Sequence, residues 1–85
     1  MWIDPLSLEP LWVKNWFIDN FQSMSKYAKN NGFNWDSRHL DRNQIVKHAG
    51  EFFSTEMDLP TIITQEGKLL VDIPEQIVVL YILKS

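Results

Sequence analysis

The chain contains no cysteine, only three glycines and only two histidines. Each shortage closes off some chemistry. Without cysteine there is no disulfide framework, no thiolate zinc site and no cysteine nucleophile. A chain free of disulfides suits a reducing compartment. Gly32, Gly50 and Gly67 are too scattered to form a phosphate-cradling or dinucleotide-type loop. The longest apolar run, Ile77 to Leu83, falls well short of the roughly 20 residues that a membrane-spanning helix requires. The opening "MWIDPLSLEP" has neither the basic start nor the apolar stretch of a secretory signal. The expected location is therefore cytoplasmic, with no membrane association.

The two histidines do not combine into a site. His39 and His48 are nine residues apart, and on one continuous helix that spacing would turn them to opposite sides. His48 and Glu51 have an i, i+3 spacing that can serve a metal, but two ligands do not make a centre, and a solvated helix flank explains them more simply. Asp36 and Asp41 flank His39 and can orient its ring, yet no serine sits in a recognisable nucleophile elbow. The sequence accordingly predicts a protein that is not an enzyme, without catalytic residues, metal or cofactor.

What the chain does hold is apolar bulk. Of its 85 residues 45% are apolar, and four are tryptophans: Trp2, Trp12, Trp16 and Trp35. A chain of this size forms one small domain that buries roughly two thirds of its unfolded surface. The net charge of −3 is unevenly distributed. Residues 20–50 carry Lys26, Lys29, Arg38, Arg42 and Lys47 against Asp36 and Asp41, a local excess of +3. Residues 51–85 carry Glu51, Glu56, Asp58, Glu66, Asp72 and Glu75 against Lys68 and Lys84, a local excess of −4. The acidic balance counts against a general nucleic-acid binder, which needs many phosphate-neutralising cations.

A first helix is expected over about residues 8–30, with Ser7 as N-cap and Gly32 as a left-handed stop. At about 100° per residue, Val13, Trp16, Phe17, Phe21, Met24, Tyr27 and Ala28 share a core face, with Trp12 at its edge. Leu8, Leu11 and Ile18 fall outside that face as a second apolar strip. A second helix begins at the capping sequence "DRNQ", Asp41 to Gln44, and runs to about Thr55 or Glu56. Gly50 within it suggests a close packing contact. "TIITQ" and "KLLVDI" around "EG" read as a β-hairpin turning on Gly67. "IVVLYIL" at 77–83 is rich in β-branched residues and reads as a third strand. A helix is the competing reading, because "DIPE" also resembles a capping box. The predicted fold class is α+β, with two helices packed on one face of a three-stranded antiparallel β-meander in the order ααβββ.

The function expected from these features is that of a small acidic protein-binding module: an inhibitor, an antitoxin-like factor or an accessory subunit. One candidate surface joins Leu11, Trp12 and Ile18 to the outer face of the last segment. The other is the polar aromatic loop with Asn34, Trp35, Arg38, His39 and Arg42, since Trp, Tyr and Arg dominate interface energetics. The acidic C-terminal half can meet a basic target. Two alternatives accompany this reading. One is a self-assembling subunit that dimerises through a strand at 77–83. The other is a weak single-strand nucleic-acid binder that uses Tyr27, Phe33 and Trp35 among the cations of 26–47.

Overall fold

The computed structural model describes residues 1–36 and 38–84. The elements follow one another as β1 (Trp2–Ile3), α1 (Leu11–Asn30), α2 (Arg42–Glu51), β2 (Thr61–Ile63), β3 (Leu69–Asp72) and α3 (Glu75–Lys84). The three strands form one antiparallel sheet in the order β1-β3-β2. The α+β class and the three-stranded antiparallel sheet therefore hold, but the order along the chain is βααββα rather than ααβββ.

Two segments account for the difference. Residues 77–83 lie within helix α3, not a strand. Pro74 opens this helix, its carbonyl accepting from the Ile77 and Val78 amides at 3.0 and 3.2 Å. Glu75 lies in the first turn and Lys84 in the last, as the helix dipole favours. Nor does β3 have an edge left for a third hairpin strand. The N-terminal residues hold it: Trp2 pairs with Asp72 and Ile3 with Val71.

The hairpin itself matches its sequence signal. Gly67 takes a left-handed conformation (φ 82°), and the Thr64 amide donates to the Lys68 carbonyl at 2.9 Å. Along β3 the side chains alternate. Leu69 and Val71 are buried beneath the helices, with Ile73 continuing the row beyond the strand, whereas Leu70 and Asp72 turn to the other face.

Helix α1 starts at Leu11, three residues later than expected. Asp4 instead caps a short 3-10 turn (Pro5–Ser7), and Leu8 adopts a left-handed conformation that breaks the chain direction before Pro10. The far end behaves as read: Gly32 is left-handed, and the Phe33 amide donates to the Ala28 carbonyl at 2.9 Å. Asp41 caps α2 by accepting from the Asn43 amide at 3.0 Å. Beyond Glu51 the helix widens into a π-turn (Phe52–Glu56), closed by the Met57 amide on the Phe52 carbonyl at 3.3 Å. This widening turns two consecutive rings inward. Phe52 and Phe53 are both buried, and Phe53 stacks on Trp16 with centroids 5.1 Å apart.

The core thus lies between the inner face of the sheet and the helices. Val13, Trp16, Met24 and Ala28 come from α1, Val46 and Ala49 from α2, and Val78 from α3.

Candidate protein-contact surface

The exposed apolar residues are not scattered evenly. On α1, Leu11 and Ile18 are 57% and 54% exposed, and seven residues is about two turns, so they share one ridge. Phe21, one turn beyond Ile18, is also exposed, although the helical periodicity places it on the core face. Helix α3 packs along α1. Its Val78 is buried and its Ile77 and Tyr81 are half-buried against the core, while Val79, Leu80, Ile82 and Leu83 remain exposed, Leu83 at 80%. A helix that is apolar on every side is ordinarily covered on every side. Here only one side is.

The junction between the two helices is polar and specific. The Tyr81 hydroxyl donates to Asp19 Oδ2 at 2.6 Å. That hydrogen bond, burial and the carboxylate's charge together push the phenol up to about 12. Lys84 Nζ sits 5.0 Å from the centre of the same ring. Asp19 follows Ile18 directly, so this bond fixes α3 beside the α1 ridge.

An aromatic chain links α1 to the 33–42 loop. Phe17 meets Phe21 at 5.9 Å, Phe21 meets the edge of Trp35 at 5.9 Å, Trp35 meets Phe33 at 5.2 Å, and Phe33 stacks on His48 at 4.2 Å. The apolar ridge therefore continues from α1 onto Trp35. Two atoms in this cluster, Trp35 Nε1 and His48 Nδ1, are closed from solvent without a hydrogen-bond partner. Leaving such a group unpaired costs about 1–3 kcal/mol, and ring packing has to offset it.

The residues singled out in the sequence separate as follows. Leu11 and Ile18 are exposed and lie together on α1. Trp12 is only 8% exposed and belongs to the core, so it leaves the contact set: its position at the edge of the helical stripe falls against the core. Trp35 is half-buried, joined to the ridge through Phe21. Asn34, Arg38, His39 and Arg42 are exposed, and Asn34 Oδ1 holds the loop by accepting from the Asp36 amide at 3.0 Å. Ser37, within the same loop, lies outside the described residues. The sequence did not mark Phe21 as a surface residue. In a strand at 77–83 alternate residues would fall on opposite faces, whereas on the helix Val79, Leu80, Ile82 and Leu83 are all exposed.

Shallow hollows border this surface. One, of about 370 Å³, is lined by Phe21, Gln22, Ser25, Lys26 and Lys29. Another, of about 440 Å³, is lined by Glu75, Gln76 and Val79 at the start of α3. Two of the three proposed stacking aromatics are engaged within the fold, while Trp35 is half-buried. Phe33 is buried between Trp35 and His48, and Tyr27 packs on Phe52 at 6.0 Å. Among the described residues no group of three or more His, Cys, Asp or Glu side chains could hold a metal ion, and no helix is long and apolar enough to cross a membrane. No protein-family model matches the chain, and searches of curated proteins and of solved structures likewise found no match.

Proposed function

We propose that this protein acts by binding another protein through the apolar surface of α1 and α3, extended by the Trp35 loop. The observation that carries this reading is α3 itself: ten residues, apolar around most of its circumference, with Val79, Leu80, Ile82 and Leu83 left in solvent. Burying exposed apolar area is worth about 25 cal/mol per Å², so a patch of this kind is a standing driving force for association. Phe21 and Trp35 supply the aromatic anchors that interface energetics favour, and Arg38 and Arg42 supply a cationic rim. Inhibitor, antitoxin-like factor and accessory subunit are all compatible with such a surface.

Self-association is the second reading, and the same helix supports it in altered form. As a helix, 77–83 offers no strand edge, so a homodimer here would pair α3 with α3 rather than extend a sheet.

Capture from a lysate of the native host tests the proposal. The parent chain and an Ile18→Lys/Leu83→Lys variant serve as parallel baits, with light scattering of each pure protein beside them. The expected result is a partner retained by the parent and lost by the variant, from a parent that is monomeric. A concentration-dependent dimer that the variant abolishes selects the second reading. Identical capture by both baits contradicts the first.

A further inference from the structure

A different surface of the molecule has the geometry of a peptide-binding edge. β2 is one of the two edge strands of the sheet, and the hydrogen-bond register says which of its backbone groups face away from β3. The Asp72 amide donates to the Pro60 carbonyl, and the Thr64 amide donates to the Lys68 carbonyl, each at 2.9 Å. In an antiparallel ladder the residues facing the partner alternate, so Pro60, Ile62 and Thr64 face β3. Thr61 and Ile63 therefore point their N–H and C=O groups away from the sheet, toward an edge that no described strand covers.

Beside that edge runs a cleft. Its lining is Lys47, Gly50, Glu51 and Ser54 from α2 and the following turn, with Thr61 and Ile63 from β2, and its volume is about 340 Å³. Gly50 keeps it open: a Cβ there would stand 3.7 Å from Thr61 Cγ2 and 4.0 Å from Ile63 Cδ1. A strand edge flanked by a helix-lined cleft is the arrangement in which an added strand gains main-chain bonds from the edge and side-chain pockets from the cleft. On the opposite face Ile62 is exposed, ready to meet an apolar residue of the added strand.

The charge around the edge specifies the ligand further. From Lys47, which lines the cleft, to Lys68 the chain carries Glu51, Glu56, Asp58 and Glu66 against those two lysines, a local net charge of −2. Asp58 and Glu66 lie exposed three residues before and after the strand. We infer that the β2 edge and its α2 cleft bind a basic, extended peptide segment, added antiparallel or parallel as a fourth strand, with apolar side chains directed at Ile62 and into the cleft.

The test is selection of a random peptide library displayed on phage against the full chain, followed by amide chemical-shift mapping with the enriched synthetic peptides. The expected peptides carry Lys or Arg with alternating apolar residues, bind less tightly as salt rises, and shift the Thr61 and Ile63 amides. Ile63→Pro should weaken them about tenfold or more, since it removes an outward edge donor. That N–H is not used by β3, so the variant should melt close to the parent. If it does not fold, Gly50→Ala takes its place, narrowing the cleft from a helical position, with a severalfold loss expected. No enrichment, equal binding by the parent and the folded variant, or shifts confined to α1 and α3 would overturn the inference. So would a dimer that Ile63→Pro disperses, because a second copy would then own the edge. None of these results alters the α1–α3 reading, whose variants lie elsewhere.

Discussion

Gly50 shows how a single missing side chain sets the distance between two layers. It is buried in α2 against β3, and a Cβ at this position would lie 3.3 Å from Leu69 Cδ1. A methyl group can be absorbed by a small shift of that leucine terminus. The branched carbons of valine would press on Leu69, Thr61 and Ile63 together, and overpacking of this sort costs about 1–3 kcal/mol. Gly50→Val should therefore lower the urea midpoint without changing the slope of the unfolding transition. Tyr81 gives a second residue-level expectation, in pH rather than volume. Its neutral phenol is the form that donates to Asp19, and its folded value of about 12 lies above the ordinary tyrosine value of about 10. The bond's contribution is thus complete below about pH 10 and lost as pH rises through about 12. Tyr81→Phe lacks it throughout. The stability gap between parent and variant should accordingly be widest near neutral pH and shrink across that window in parallel urea titrations.

At the scale of elements, the parts with a clear period or a local cap were legible in the sequence, and the parts fixed by competition were not. The body of α1 follows its apolar stripe, α2 starts at its Asp41 cap, and the hairpin turns on Gly67. Segment 77–83 has apolar residues at every position, so neither a two-residue nor a 3.6-residue period shows. Its β-branched residues favour a strand locally, but β3 already has β1 on one side and β2 on the other. β1 was invisible for the opposite reason: two residues, Trp2 and Ile3, carry no pattern of their own. Val79→Pro tests the helical state directly. Val79 is exposed, so little packing is lost, yet it lies in the helix interior, where proline costs about 3 kcal/mol or more. The variant should lose the helical chemical shifts of residues 75–84 and much of the protein's stability. Retained stability would mean that 75–84 is not a helix.

The molecule as a whole is asymmetric in what it leaves uncovered. Helices cover the inner face of the sheet, and among the described residues no element covers the outer side of α3. Its candidate surface was half legible in the sequence. Leu11 and Ile18 stood out because they break the α1 stripe. Trp12 did not belong with them, because a position at the stripe's edge is decided by what packs beside it, and here that is the core. Phe21 was missed for the converse reason. The 33–42 loop keeps Trp35 at its edge, 5.9 Å away, without covering it. On this account Ile18→Lys/Leu83→Lys changes a surface and not a core, so its melting temperature should stay within a few degrees of the parent by circular dichroism. The central claim, that α1 and α3 form one contact surface, is tested most directly by site-specific photocrosslinking in the native host. A benzoylphenylalanine at Ile18, at Leu83, or at the exposed Thr55 outside the apolar set provides three probes. The account predicts the same crosslinked partner from Ile18 and Leu83, and that partner not from Thr55. Crosslinks from Thr55 alone, or different partners from Ile18 and Leu83, would contradict it.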